Sequence, residues 1–405
     1  MAGEYDIARL GAQGDGIAET PEGSRFVPFA LPGERVRVTG AAMPEVIVAS
    51  PERTAPVCRH FGTCGGCVAQ HMSGPLYGEW KRGIVVEALR QHGLAGDVAP
   101  LVRVAPGSRK RAVLTARRVG GSVVLGYHER RSHELVAIAE CPVLLPAIVA
   151  KLPGLRALAD LLAAPETRMT VLHAQGGLDV SLENGAQVVK PALFAALARV
   201  ATEHGLVRVA VGGEIVVERA VPVLSIGGVS VVPPSGAFVQ ASEAAEQQMR
   251  DLVVGALGRA KRVADLFCGI GTWTFPIARR ARVLAVDGDD AAIAALSAAA
   301  RNAQGLKPIE VLRRDLFREP LSARELKGFD AVVFDPPRAG AKAQAEQLAR
   351  GEVPVVVAVS CDPGTLARDL RILVDAGYAL DRVTPIDQFE FSAHVEAVTV
   401  LRRAG

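Results

Sequence analysis

The sequence predicts an α/β protein in which a small β-barrel and a central α+β region precede a doubly wound, mostly parallel sheet. Beyond the Pro-Pro-Ser-Gly run at 233–236, short apolar strands alternate with helices, as in sheets covered by helices on both faces. Before residue 50, short strands are separated by glycines, a pattern typical of a small antiparallel barrel. We therefore expect three parts, formed by residues 1–52, 53–235 and 236–405.

The first two parts are predicted from short local patterns. Strands are expected at 7–10, 25–29, 34–38 and 46–48, a helix at 76–92, and a hairpin with strands 112–116 and 123–125. Further along, helices are expected around 144–162 and 192–204, with strands at 178–182, 207–211 and 215–217. The expected strands of the C-terminal sheet are Arg262–Phe267, Arg282–Val286, Ile309–Arg313, Ala331–Phe334, Val355–Val359 and Leu380–Pro385.

The composition is that of a folded protein outside membranes. The chain has 405 residues, 49% of them hydrophobic, which is enough for sizeable cores, and its formal net charge is only +3. No uncharged apolar run approaches the ~18 residues of a membrane span, and the acidic N-terminus lacks the apolar segment of a secretory signal. We expect a cytoplasmic protein that does not enter a membrane.

A glycine-containing loop after the first strand of the C-terminal sheet predicts a cofactor site. Gly269 and Gly271 allow a tight turn and a close approach of a ligand, and Asp287 ends the next strand, where its carboxylate can accept hydrogen bonds from a ribose. A dinucleotide is the alternative, but Thr274 leaves the G-x-G-x-x-G pattern incomplete. Further acids after the third and fourth strands, Asp315 and Asp335, favour S-adenosylmethionine.

A thiol and a carboxylate near the C-terminus are the candidate catalytic pair. Cys361 follows the apolar run 355–359 and precedes a predicted helix, whose N-terminus favours a thiolate. Glu396 lies among apolar residues of the expected last strand, a costly place for a carboxylate that is neither paired nor reactive. The alternatives are a buried core cysteine and a surface glutamate on an edge strand.

Four of the six cysteines form a constellation with the spacing of a metal site. Three lie close together in the sequence and the fourth precedes Pro142; the four are Cys58, Cys64, Cys67 and Cys141. In a cytoplasmic chain such clustering points to a metal or to catalysis rather than to disulfides. The spacing alone leaves zinc, a [4Fe–4S] cluster and an unmetallated set open.

A basic stretch is the candidate RNA contact. Between 103 and 131 the chain carries one acid, Glu129, and eight basic residues: Arg103, Arg109, Lys110, Arg111, Arg117, Arg118, Arg130 and Arg131. Such an excess suits phosphate contact, and the alternative is a solvated strand face. Residues 103–131 are therefore one segment expected to hold RNA, and residues 5–50 are the other, because small β-barrels often bind nucleic acid.

Several motifs in sequence order resemble the S-adenosylmethionine-dependent RNA uracil-C5 methyltransferases. They are DLFCGIGTWTFPIA at 265–278, VFDPPRAG at 333–340, VSCDPGTLARDL at 359–370 and HVEAV at 394–398. The resemblance implies a Rossmann-like class I methyltransferase domain, a TRAM-like N-terminal barrel, Cys361 as nucleophile at uracil C6 and Glu396 as the base at C5. It also implies cofactor contacts by Gln240, Phe267, Thr272, Asp287, Asp315 and Asp335.

The cysteine loop CRHFGTCGGC resembles the ribosomal branch of that family. It implies a [4Fe–4S] cluster on Cys58, Cys64, Cys67 and Cys141, and 23S ribosomal RNA as substrate. The tRNA branch lacks these cysteines, so a tRNA enzyme is the second expectation. A non-catalytic iron–sulfur RNA-binding protein on a methyltransferase scaffold is the third, and we expect a monomer in each case.

Three residues depart from the family pattern. Thr272 replaces a usual Asn at a cofactor position, and Glu390 replaces a usual Pro shortly before His394. Asp362 replaces the usual Asn after the nucleophile, and its charge is expected to raise the pKa of Cys361.

Overall fold

The N-terminal part of the computed structural model consists of two small antiparallel sheets that share one core. The structure describes residues 3–40, 43–162, 165–183 and 191–403. Strands β1, β5 and β6 form one sheet and β2, β3 and β4 the other, as expected for a TRAM-like barrel. The strands are β1 (Gly3–Asp6), β2 (Arg9–Leu10), β3 (Gly16–Thr20), β4 (Gly23–Val27), β5 (Arg35–Val38) and β6 (Glu45–Val48).

The central part is a seven-stranded sheet with helices packed on it, in the order β10-β9-β8-β11-β12-β13-β14. Strand β8 alternates buried apolar residues with half-buried ones, β13 is buried throughout, and β12 pairs in parallel with β13. The elements, in chain order, are α1 (Gly74–Gln91), β7 (Val102–Arg103), β8 (Arg111–Val119), β9 (Ser122–His128), β10 (Leu135–Ala137), α2 (Pro146–Val149), α3 (Leu152–Leu161), β11 (Glu166–Ala174), β12 (Gly177–Glu183), α4 (Pro191–Glu203), β13 (Leu206–Val211), β14 (Glu214–Glu218), β15 (Leu224–Ile226) and β16 (Val229–Val231).

The C-terminal part is the expected doubly wound sheet. Strands β19, β18, β17, β20 and β21 are parallel, and β24 then runs antiparallel to β21. The elements are α5 (Glu243–Ala256), β17 (Arg262–Leu266), α6 (Thr274–Ala278), β18 (Arg282–Asp287), α7 (Asp290–Asn302), β19 (Ile309–Arg313), β20 (Ala331–Phe334), α8 (Lys342–Arg350), β21 (Val355–Ser360), α9 (Pro363–Asp375), β22 (Tyr378–Leu380), β23 (Thr384–Asp387) and β24 (Glu396–Arg403).

Alternate residues of the central strands enter two separate cores, one on each face of this sheet. Val357 of β21 packs in one core, and its neighbours Val356 and Ala358 pack in the other. This alternation explains why the strands are apolar throughout, and it confirms the predicted α/β class. The division at 52 and 235 stays a prediction.

Two early elements join the C-terminal sheet, a feature that the sequence pattern did not predict. Strand β7 pairs in parallel with β23, with Val102 opposite Ile386. Helix α1 lies beside α9 and contributes Val85 and Leu89 to the core on that face. Residues before 104 therefore complete the part of the fold that carries the candidate catalytic residues.

Several predicted elements differ from the structure in their bounds. The expected strand Leu380–Pro385 is wrong as a unit, because its pairing with β24 shifts by one residue between Leu380 and Thr384, which separates β22 from β23. The helix expected around 144–162 is two helices, α2 and α3. Strand β17 ends one residue before Phe267, whose φ of 58° turns the chain into the glycine loop. Among the described residues, no helix has the length and apolar character needed to span a membrane.

Candidate active site

The carboxyl ends of the parallel strands bring together the predicted cofactor residues. The backbone N–H of Gly269 donates to Asp287 Oδ2 over 2.8 Å, so the glycine loop is tied to the end of β18. Phe267 packs against Phe317 with ring centroids 5.4 Å apart, and Asp315 lies exposed beside them. Gly269 and Gly271 have φ values of 53° and 100°, a region that favours glycine. This edge has the loop and the acids that a nucleoside ligand needs.

Asp335, at the end of β20, is the centre of a polar network. Its Oδ2 accepts hydrogen bonds from Gln240 Nε2 over 3.0 Å and from the buried Trp273 Nε1 over 3.1 Å. Burial raises the pKa of Asp335 to about 6, although these two donors oppose the shift. Both donors favour the carboxylate form and fix its orientation. Trp273 was not predicted as a site residue, although it lies within a quoted motif.

Glu396 begins β24 and is only 2% exposed. The side-chain amide of Gln388 donates to Glu396 Oε2 and, over 2.9 Å, to Gln240 Oε1. Burial raises the pKa of Glu396 well above its usual range, and the nearby Asp335 raises it further. A carboxylate with a raised pKa is a stronger base than an exposed one, which suits a group that takes up a proton.

Gln388 is the residue that sequence reasoning missed. It is buried, and its Oε1 accepts from the backbone N–H of Ala241 over 3.1 Å. Its amide joins Glu396 to Gln240, which in turn contacts Asp335. The sequence places the polar Gln388 between the apolar residues Ile386 and Phe389. A buried amide requires several hydrogen-bond partners, so this position was a signal of a polar network.

Cys361, directly after β21, lies opposite Glu396 of the neighbouring strand β24. Strands β21 and β24 are antiparallel with Ser360 opposite Ala397, and one further step in this register places Cys361 opposite Glu396. Burial raises the pKa of the Cys361 thiol to about 11, Glu396 and Asp335 add to the increase, and the guanidinium of Arg338 opposes it. The predicted catalytic pair is therefore adjacent in the structure.

Asp362 has a structural partner that the sequence did not indicate. Its Oδ1 accepts from the backbone N–H of Thr365 over 2.9 Å, so this carboxylate caps the N-terminus of α9. The raised pKa of Cys361 has burial as its first cause, followed by Glu396 and Asp335.

Thr272 is half-buried in the turn before Trp273.

Exposed charge and aromatic rings border the catalytic pair. Arg338 Nη2 lies 3.1 Å from His394 Nε2, and the ring of His394 meets that of Phe389 edge to face with centroids 6.0 Å apart. The guanidinium of Arg109 lies over the ring of Phe389, 5.8 Å from its centroid. Cations and aromatic rings are the groups that hold phosphates and unstacked bases.

Most of the basic stretch is already paired within the protein. Six of its eight side chains form ion pairs with carboxylates: Arg103, Lys110, Arg117, Arg118, Arg130 and Arg131. Arg130 and Arg131 both bind the buried Asp15, which fastens the N-terminal barrel to the β9–β10 turn. Much of the predicted positive patch therefore holds the parts of the fold together.

The four predicted metal-site cysteines line one cavity of about 70 Å³, together with Gln70, Arg109 and Glu390. All four thiols are free and partly buried. Burial raises the pKa of Cys64, Cys67 and Cys141, and that of Cys67 reaches about 12. In the described part of the chain, no three His, Cys, Asp or Glu side chains are arranged to hold a metal ion.

Glu390, the third departure from the family pattern, also faces this cavity. It is 6% exposed, and its Oε1 has no hydrogen-bond partner among the described residues. Burial raises its pKa to about 7, and Asp387 adds to the shift. The nearest ion-pair partner is Arg103, at 3.9 Å.

The fold and the site define an S-adenosylmethionine-dependent RNA methyltransferase, and comparison with known proteins agrees. The model of the tRNA (Uracil-5-)-methyltransferase family matches residues 229–404. An uncharacterized RNA methyltransferase of Rhizobium meliloti (strain 1021) is 51% identical over 99% of both chains. The chain belongs to the RNA uracil-C5 methyltransferase family.

Two further relatives differ in the RNA that their names give. The 23S rRNA (uracil(1939)-C(5))-methyltransferase RlmD of Halomonas elongata is 35% identical over 98% of this chain and 89% of its own. The structure of Pyrococcus abyssi tRNA (uracil-54, C5)-methyltransferase with S-adenosyl-L-homocysteine superimposes with a TM-score of 0.74. It covers 98% of this chain and 99% of its own at 22% identity, which is similarity of fold.

Proposed function

We propose that this protein methylates C5 of a uridine in 23S ribosomal RNA through Cys361 and Glu396. The observation that carries the proposal is the register of β21 and β24, which sets the thiol opposite a buried carboxylate at the cofactor edge of the sheet. Uracil C5 is unreactive towards a methyl donor until a nucleophile adds to C6, and a thiolate is suited to that addition.

The chain's own residues account for each proposed step. Cys361, as the thiolate that Arg338 favours, adds to C6, and the electron pair of the C5–C6 double bond makes C5 a carbon nucleophile. S-adenosylmethionine supplies the methyl group when it is bound. The Glu396 carboxylate then takes the C5 proton, the double bond re-forms, and the Cys361 thiolate leaves.

We also propose how the cofactor is held. The cofactor would contact Gln240, Phe267, Thr272, Asp287, Asp315 and Asp335, with the Asp287 carboxylate towards the ribose. The supporting geometry is the glycine loop tied to Asp287 and the network of Gln240, Trp273 and Asp335. Because Gln388 bonds both Gln240 and Glu396, the base is oriented from the cofactor side of the site.

Two observations favour ribosomal RNA over tRNA as the substrate. The relative named for 23S rRNA is 35% identical along almost the whole chain, and the four cysteines are those expected of the ribosomal branch. A tRNA enzyme is the second candidate, and a non-catalytic RNA-binding protein is the third. The buried Glu396 beside Cys361 disfavours the third, because a binding protein has no use for that costly arrangement.

Tritium release from RNA labelled at uridine C5 tests this function. With S-adenosylmethionine present, we expect release from unmodified 23S rRNA and none from unmodified tRNA, because each methylation expels one C5 hydrogen. Omission of the cofactor is the control. Methyl incorporation without tritium release would refute C5 chemistry, release from tRNA alone would select the second candidate, and neither signal with any RNA would select the third.

We propose that Cys58, Cys64, Cys67 and Cys141 hold a [4Fe–4S] cluster. The support is that four thiols line one cavity, because four cysteine thiolates are the usual ligands of such a cluster. Zinc is the alternative. The proposed reaction has no redox step, so the cluster would act as a clamp between the 58–67 loop and the residues after β10.

Cys67→Ser is expected to lower the iron and sulfide content of anaerobically purified protein and to weaken binding of 23S rRNA. Affinity for S-adenosylmethionine should stay within about twofold, because the cofactor edge lies on other elements. Cys268→Ala, which alters a buried cysteine outside the cavity, is the matched control and should keep the iron. Iron content that does not change in Cys67→Ser would exclude Cys67 as a ligand, and zinc in place of iron would select the alternative.

A further inference from the structure

Lys81 is a buried cation that contacts the segment before the proposed base. It lies on α1 and is fully buried, which is rare for a lysine. Its Nζ donates to Asp387 Oδ1 over 2.9 Å, to the Phe389 carbonyl over 3.2 Å and to the His394 carbonyl. These three acceptors span the last residue of β23 and most of the connection to β24, a segment that we call the 387–394 loop.

Tyr77 lies one helical turn before Lys81 and contacts the same loop. Its hydroxyl donates to Asp387 Oδ2 over 2.6 Å and accepts from the backbone N–H of Phe391 over 2.9 Å. Residues four apart on a helix share a face, so α1 presents both side chains to the loop. Both oxygens of Asp387 and three backbone groups of the loop are thereby fixed.

The 387–394 loop carries the groups that orient the proposed base. At one end of the loop, Gln388 follows Asp387 and donates to Glu396. At the other end, His394 precedes Glu396 by two residues. Lys81 and Tyr77 approach from α1, and their hydrogen-bond partners are in the loop rather than in the cofactor network. They are placed to act on the reaction only through the loop.

The chemistry of this contact points to precision of position rather than to stability alone. Apolar residues of similar volume often stabilise a protein as much as a buried ion pair, or more. An ammonium group with three acceptors, however, fixes both ends of a loop in one arrangement. Small errors in the position of a catalytic group reduce the reaction rate strongly.

We propose that Lys81 and Tyr77 are positioning residues that fix Glu396 for removal of the C5 proton. The inference rests on the proposed function. In the step affected, the C5 proton passes to the Glu396 carboxylate, the C5–C6 double bond forms, and the bond between C6 and Cys361 Sγ breaks. If Glu396 is misplaced, the methylated adduct of RNA and protein persists, because the preceding methyl transfer does not use this carboxylate.

Tyr77→Phe tests the inference, because it removes the hydroxyl and keeps the ring packing. With RNA tritiated at uridine C5 and a radiolabelled methyl donor, we expect tritium release to fall about tenfold or more, the effect of ~1.4 kcal/mol at one step. A methyl-labelled protein–RNA complex that survives denaturation should accumulate, with unchanged affinity for RNA and cofactor. Tyr378→Phe is the control: it also removes a buried hydroxyl, one bonded to the Val353 carbonyl away from the loop, and should behave as wild type.

The double variant Lys81→Met, Asp387→Asn removes the cation without leaving its partner charged and buried. It should fold, and it should accumulate the same complex. An equal loss of tritium release and methyl transfer without the complex, or an unchanged rate in both variants, would overturn the positioning role. Absence of tritium release from the wild type would instead show that the proposed function has failed.

Discussion

Cys361→Ala is expected to reduce tritium release from uridine C5 to background while the protein still binds S-adenosylmethionine. Without the thiolate nothing saturates the C5–C6 bond, and C5 does not become nucleophilic. The cofactor network of Asp335, Gln240 and Trp273 does not include Cys361 and should persist. The measurements are tritium release and equilibrium dialysis with labelled cofactor.

Cys268→Ala is the control for the loss of a thiol in the same part of the chain. Cys268 is buried in the glycine loop, where no contact with substrate is proposed, and its replacement should leave most of the release. Substantial release from Cys361→Ala would mean that another group attacks C6. Loss of both release and cofactor binding would show damage to the fold instead.

Glu396→Gln is expected to lower the turnover by about 10²–10⁴-fold, the usual contribution of a positioned base. The amide has the same size as the carboxylate, but it cannot accept the C5 proton. The methylated adduct should therefore remain attached to Cys361, and the labelled protein–RNA complex should survive denaturation. A denaturing gel and the rate of tritium release, measured on the same samples, check both outcomes.

The matched control for this substitution is Glu246→Gln. Glu246 is on α5 and is also buried. It forms an ion pair with Lys110, away from the catalytic pair. Its amide variant should form the complex only transiently and should release tritium at a rate near that of the wild type. Rapid release from Glu396→Gln would show that a different group removes the proton.

The parallel sheet was predictable because each strand is apolar over its own length. Strands β17 to β21 were predicted within a residue or two of their observed ends, and Cys361 and Glu396 were predicted as the catalytic pair from local motifs. Pairing across the chain leaves no local pattern, so the addition of β7 to the sheet edge was not predictable. The same limit made the basic stretch resemble a free surface, although Arg130 and Arg131 bind Asp15 in the N-terminal barrel.

Lys81 and Gln388 were not predicted as site residues for a different reason. Lys81 stands between Trp80 and Arg82, where a helical pattern places a lysine in solvent, and its acceptors are about 300 residues away in the sequence. Gln388 likewise acquires its role only when β23 and β24 bring Glu396 and Gln240 together. Buried polar side chains are determined by tertiary partners, and those partners are invisible to periodicity.

The contact between α1 and the 387–394 loop has a consequence for biosynthesis. Tyr77 and Asp387 are separated by 310 residues, so the ribosome makes α1 long before its partner exists. At a synthesis rate of ~5–20 residues per second, the apolar face of this helix stays uncovered for about 15–60 s before β23 and β24 are made. During that interval Lys81 is hydrated and the nascent chain exposes a hydrophobic surface, which is a feature that chaperones bind. Completion of the catalytic end of the protein is therefore one of the last events of its synthesis.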